Sequence, residues 1–133
     1  MNNDLICKCL TPQNYTAIYA RHSNKDDKNN SNQSQIYQCK EIASKLNLIV
    51  YKSYEDEGSG FTVPPEGRNG FKQLLLDAEA GYFKNLIVWK VDRLWRQSYD
   101  YPKTKQHLDS LGVNLIFSDM SEYQNMNPIY RNF

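Results

Sequence analysis

Leu86-Ile-Val-Trp89 is an unbroken apolar run, preceded by Lys84 and Asn85 and followed by Lys90. A run this short and this uniformly apolar predicts a strand covered on both faces, and therefore a central strand of a parallel sheet. Helical signals lie on either side of it. Upstream, Phe71, Leu74, Leu75 and Ala78 recur at the spacing of one helix face, and Gly81 sits where a C-cap glycine belongs. Downstream, polar residues run from Asp92 to Ser98. A helix then starts near Ser98 or Asp100, accommodates Pro102 in its first turn and ends at Leu111-Gly112. Val113-Asn-Leu-Ile-Phe117 reads as the next strand.

The same alternation extends towards the N-terminus. Thr16-Ala-Ile-Tyr-Ala-Arg21 suits a buried strand, and Asn24 to Gln33 is a solvated loop of Asn, Asp, Lys and Ser. Ile36, Cys39, Ala43 and Leu46 share a helix face. Leu48-Ile-Val-Tyr51 is a further apolar run, ending in the acidic group Glu55-Asp-Glu57, which reads as a solvated strand end. Gly58, Gly60, Pro64, Pro65, Gly67 and Gly70 mark a long loop. Strand and helix thus alternate four times. The expected architecture is α/β: an open, mostly parallel sheet of four to five strands with helices on both faces, a Rossmann-like three-layer arrangement. Residues 1–15 read as a flexible leader and 16–122 as the folded domain.

Bulk properties narrow the function. A chain of 133 residues fits one domain, and 16 basic against 15 acidic residues leave a net charge of +1. That balance argues against a strong free-standing DNA binder, so any action on DNA must rest on a few placed arginines or on a further region of a larger protein. Cys7, Cys9 and Cys39 are odd in number and lack repeated spacing, which argues against a zinc site and suits reduced thiols in the cytoplasm. No segment approaches the roughly 18 apolar residues of a membrane span, and the N-terminus has no signal-peptide pattern.

In open α/β sheets the working residues cluster at the carboxyl ends of the strands. Here the first strand runs into Arg21-His-Ser23. The second runs into Asp56-Glu-Gly-Ser-Gly60 and the loop carrying Arg68, and the third into Asp92-Arg-Leu-Trp-Arg96. Taken singly these are ordinary: a serine after a strand is usually a turn residue, and Asp92, Arg93 and Arg96 make a common surface salt-bridge pattern. Folded together, they gather one hydroxyl and four guanidiniums at one edge. Like charges in such number call for an anion, and phosphate pairs bidentately with arginine. Ser23 could attack phosphorus while Arg21, Arg68, Arg93 and Arg96 stabilise charge on its oxygens. No carboxylate–histidine cluster suggests a metal, and no cofactor is expected.

These segments resemble the catalytic domain of the resolvase/invertase, or serine recombinase, family over roughly residues 16 to 122. The resemblance is carried by Tyr19-Ala-Arg-His-Ser23, Ser31-x-x-x-Gln35, Asp56-Glu-Gly-Ser-Gly60, Arg68-Asn-Gly-Phe71 and Trp89-Lys-Val-Asp-Arg-Leu-Trp-Arg96. It implies that Ser23 is the nucleophile forming a 5′-phosphoserine link to double-stranded DNA. Arg21, Arg68, Arg93 and Arg96 then surround the scissile phosphate, and Asp92 orients arginines or helps handle protons. Gln35 is a supporting polar residue, and Tyr19, Asp56 and Ser59 lie nearby. It further implies cleavage in a self-associated dimer or tetramer, strand exchange and religation without a metal. Residues 123–133 would begin the linker or oligomerisation helix, with DNA-binding regions beyond. Trp95 departs from the family's usual small residue, and a packing role suits its indole. The long loop after Ser23 is similar to that of large serine integrases and transposases. Two other readings compete: the same fold kept for oligomerisation alone, and an unrelated phosphate-handling α/β enzyme. The first is disfavoured by the presence of Ser23 and all four arginines. The second is disfavoured by the absence of a glycine-rich phosphate loop after the first strand.

Overall fold

The computed structural model describes residues 13–22, 31–57, 67–94 and 100–119. In chain order these form β1 (Tyr15–His22), α1 (Asn32–Lys45), β2 (Ile49–Glu57), α2 (Asn69–Glu79), β3 (Asn85–Val88), the single turn α3 (Val91–Leu94), α4 (Asp100–Ser110) and β4 (Asn114–Phe117). The four strands make one sheet in the order β2-β1-β3-β4, and every pairing is parallel.

Strand alternation divides the interior in two. Ala17, Tyr19, Leu86 and Val88 point to one face, where they pack with Tyr54, Phe71, Leu74, Leu75 and Ala78 on the α2 side and Leu108 of α4. Ile18, Ile87 and Trp89 point to the other, against Cys39 and Ala43 of α1. Helices therefore cover both faces, as expected. Phe71 is wholly buried, which contributes roughly 2–3 kcal/mol through removal of its ring from water.

α1, α2 and α4 stop by the same device. Asn47, Gly81 and Gly112 adopt φ of 57°, 82° and 73°. Each donates its N–H three residues back, and the residue after it donates five back, as in Leu48 to Ala43, Tyr82 to Asp77 and Val113 to Leu108. This is the paired-bond ending that satisfies the last carbonyls of a helix and turns the chain into the next strand.

Several local expectations need correction. β1 opens at Tyr15, one residue before the apolar run. β2 starts at Ile49, one residue after the apolar run begins, and keeps Glu55, Asp56 and Glu57 as its end, as read. On α1 the buried stripe is Gln35, Cys39 and Ala43, whereas Leu46 is half exposed. Asp92 to Leu94 belong to a helical turn. Leader residues 1–12 and the segment 123–133 lie outside the described residues.

α2 begins in unusually close contact with the end of β2. A Cβ on Gly70 would collide with the Glu55 carbonyl oxygen and lie 2.9 Å from an Asp56 carboxylate oxygen. Alanine favours a helix by about 1 kcal/mol over glycine, but separating two backbone segments outweighs that gain. Gly70→Ala should lower the free energy of unfolding by roughly 2 kcal/mol in urea titrations. An unchanged or higher midpoint would show that the contact is dispensable.

Candidate active site

The sheet order reverses between β1 and β3: β1 connects outward to β2, and β3 outward to β4. At such a switch point the connections diverge to opposite faces and leave a crevice beyond the carboxyl ends of the strands. The β1–β3 ladder ends at the pair Tyr19 and Val88, while β1 continues to His22. The backbone of Arg21 therefore has no β3 neighbour. Gln35, buried on α1, takes that place. Its Oε1 accepts from the Arg21 N–H (3.3 Å), and its Nε2 donates to the Arg21 carbonyl (2.8 Å). The side-chain amide presents the same donor and acceptor as a peptide group, which is why glutamine serves and a carboxylate would not. Ser31 starts the same helix, its hydroxyl accepting from the Ser34 N–H at 3.2 Å.

Arg21 projects from this strand end and is 2% exposed. Its Nε donates to the Arg93 carbonyl (3.1 Å) and its Nη2 to the Asp92 carbonyl (2.7 Å). Arg68, also buried, donates from Nη1 to that same Arg93 carbonyl and to the Tyr19 hydroxyl, both at 3.3 Å. One backbone oxygen of α3 thus holds two guanidiniums side by side. The last carbonyls of a helix carry partial negative charge, so they offset part of the repulsion. Arg93 lies 3.4 Å from an Asp92 carboxylate oxygen through Nε, and its guanidinium carbon is 5.1 Å from the centre of the Trp89 ring.

Asp56 fixes the opposite wall. One carboxylate oxygen accepts from the Gly70 N–H (2.7 Å). The other accepts from the Phe71 N–H and the Tyr19 hydroxyl, each at 2.9 Å. The N-cap residue of α2, Arg68, makes no side-chain cap bond of its own. A carboxylate from β2 therefore satisfies the first donors of α2, and negative charge is favoured at that helix end. Asn32 of α1 donates to the Asp56 carbonyl at 3.3 Å, joining a third element to the same residue. The hydrogen bonds run from Arg68 through Tyr19 to Asp56, so the arginine inherits the position of the carboxylate.

Tyr19, Arg21, Gln35, Asp56, Arg68, Asp92 and Arg93 are thus brought together. Ser23, Ser59 and Arg96 lie outside the described residues. Two further residues escaped the sequence reading. Gly70 permits the Asp56 contact, and its only signal was its place within Arg68-Asn-Gly-Phe71. Trp89, read as the end of a strand and the start of the Trp89–Arg96 segment but given no role of its own, lies against the Arg93 guanidinium.

Burial pushes the Tyr19 hydroxyl well above its ordinary range, with Arg68 partly opposing the shift. Burial likewise raises Tyr54, reinforced by the Asp77 carboxylate that accepts a hydrogen bond from its hydroxyl at 2.6 Å. It pushes the Cys39 thiol from 9.0 up to about 12, with the Ser118 hydrogen bond opposing. None of these groups ionises near neutrality, so none serves as a neutral-pH base. All three bind their protons more tightly folded than unfolded, so they penalise folding only above the unfolded values. Stability should be flat in this respect up to about pH 9 and fall as pH rises towards 12. Urea midpoints from pH 7 to 11 check this, and a midpoint that rises over that interval would contradict it.

The family model described as the resolvase N-terminal domain matches residues 16–133. No curated protein matches the sequence. Among solved structures, the N-terminal catalytic domain of TP901-1 integrase is similar at 27% identity and a TM-score of 0.68, over 80% of this chain and 79% of that one. The C-terminal catalytic domain of ISC1926 TnpA, an IS607-like serine recombinase, shares the fold at 24% identity and a TM-score of 0.68, over 81% and 69% of the two chains. A resolvase family site-specific recombinase from Streptococcus pneumoniae shares it at 21% identity and a TM-score of 0.65, over 89% and 80%. With the strand order, the arginine-lined switch point and the ordered motifs in agreement, the chain belongs to the resolvase family of serine site-specific recombinases, and the fold described is that of its catalytic domain.

Proposed function

We propose that this domain cleaves and rejoins double-stranded DNA through Ser23. The Ser23 oxygen attacks a backbone phosphorus: the Oγ–P bond forms, the P–O3′ bond breaks, the serine proton leaves and the departing 3′ oxygen gains one. The product is a 5′-phosphoserine link and a free 3′-hydroxyl. Religation is the reverse reaction after strand exchange, so the phosphoserine conserves the bond energy and no external energy source enters. Arg21, Arg68, Arg93 and Arg96 neutralise the non-bridging and leaving oxygens. Asp92 orients Arg93, while Tyr19, Gln35, Asp56 and Ser59 support the arrangement.

The observation that carries this reading is the meeting of Arg21 and Arg68 on the Arg93 carbonyl at the switch point, two residues along the chain from Ser23. Guanidiniums held this close by backbone oxygens form a ready anion site. A net charge of only +1 means that the domain contributes chemistry more than affinity. Grip on the recombination site, and assembly into the dimer or tetramer that cuts both duplexes, then draw on further parts of the recombinase. The setting is integration, excision or transposition of DNA in the cytoplasm, and no described helix is long and apolar enough to cross a membrane.

The test is to incubate the recombinase with its recombination site in EDTA, trap the covalent complex and map the DNA-linked peptide by mass spectrometry. A phosphodiester on Ser23 is expected. Cleavage that requires magnesium, or a link to another residue, would overturn the mechanism.

A further inference from the structure

We infer that Trp89 is a positioning residue for Arg93, its indole acting as an electrostatic seat and not merely as core filling; this rests on the proposed role of Arg93 in phosphate stabilisation. Trp89 follows β3 directly and is 8% exposed. Its ring packs with Ile18, Cys39, Ala43 and Ile87 on the α1 face of the sheet, so its orientation is set by the core. The carbonyl of the same residue accepts from the Asp119 N–H (2.8 Å) and the Ser118 hydroxyl (3.2 Å), which fixes its backbone.

Two cations meet this fixed ring. The guanidinium carbon of Arg93 is 5.1 Å from its centre, and the Lys90 ammonium is 4.8 Å from it. Both distances fall within the reach of the attraction between a cation and the negative face of an aromatic ring. Lys90 is also drawn towards the Asp119 carboxylate, 3.8 Å away. Arg93 is 6% exposed. Attraction to a ring face acts through the flat side of a guanidinium, whereas hydrogen bonds to phosphate lie in its plane. An aromatic seat can therefore hold an arginine in place while its N–H groups point at an anion. A leucine at position 89 would fill much of the same volume and offer no such attraction.

The test compares Trp89→Phe with Trp89→Leu in the recombinase, alongside Ser23→Ala. Cleavage is measured at saturating DNA, and thermal midpoints are measured for each protein. Since both replacements lose volume, similar midpoints are expected for the two. The phenylalanine chain should cleave within about threefold of the parent and the leucine chain about tenfold more slowly than the phenylalanine chain. Nuclear magnetic resonance of this domain supplies a readout independent of catalysis: the Arg93 side-chain protons should show an aromatic ring-current shift, retained with phenylalanine and lost with leucine. Equal cleavage by the two variants at matched midpoints, or an Arg93 signal without that shift in the parent, would overturn the inference. If Ser23→Ala still cleaves, the proposed function fails, and the resonance result alone then decides the Trp89–Arg93 contact.

Discussion

A Ser23→Ala recombinase is expected to fold as the parent does and to leave its DNA uncut, with cleavage lower by roughly 10⁴-fold or more, the scale seen when a covalent nucleophile is deleted. The separation of the two effects follows from where the arginines are tied. Arg21 is held by Gln35 and by the Asp92 and Arg93 carbonyls, and Arg68 by Tyr19 and the Arg93 carbonyl. None of these bonds passes through residue 23. Removing the hydroxyl would thus take away the proposed attacking oxygen and leave the arginine cluster standing. Gel assays of cleavage together with thermal melts of both proteins check this. A variant that cleaves within tenfold of the parent would remove Ser23 from the mechanism.

The second large effect is expected at Asp56, and it falls on stability and catalysis together. Alanine there deletes the acceptor of three hydrogen bonds, from Gly70, Phe71 and Tyr19. Buried donors left without a partner cost about 1–3 kcal/mol each, though not additively, and a net loss of about 3 kcal/mol is expected. Asp56→Asn should recover little, because its amide nitrogen would face donors instead of accepting from them. Once the start of α2 loosens, Arg68 loses both its backbone anchor and the ordered Tyr19 hydroxyl. Displacement of a positioned group by about 1 Å typically costs 10²-fold in rate, and a loss of that order is expected in cleavage under conditions where the variant is folded. Urea titrations and single-turnover cleavage measure the two losses. A destabilisation below 1 kcal/mol would mean that α2 is capped in some other way.

The elements differed in how legible they were in the sequence, for physical reasons. β3 and α2 were plain because full burial demands an uninterrupted apolar run in one and a strict helical stripe in the other. β2 was only half legible. It is an edge strand, and Ile49, Tyr51, Lys52, Glu55 and Glu57 are exposed along it, so its apolar signal fades at Tyr51 although pairing with β1 continues to Glu57. The arginines were read as a set because each lies at or beyond the carboxyl end of a strand. What each one bonds to was not, since backbone carbonyls carry no residue identity. Gln35 occupies a core position of α1 that hydrophobicity alone assigns to an apolar residue. Its burial makes sense only once β1 is seen to outrun β3. Gly70 and Trp89 read as a loop glycine and a strand residue until the Glu55 carbonyl and the Arg93 guanidinium are placed beside them.

The Gln35 amide also governs how the chain between β1 and α1 can change over evolution. It bonds Arg21 through both backbone groups, so the chain leaves the sheet and re-enters the helix at points already fastened together. The two points that the intervening residues must join are therefore held by groups outside those residues. Doubling the length of a loop costs only about 0.6 kcal/mol in closure entropy. Insertions and deletions between residues 22 and 31 can therefore accumulate at little thermodynamic cost, while the end of β1 keeps its place relative to Arg68 and Arg93.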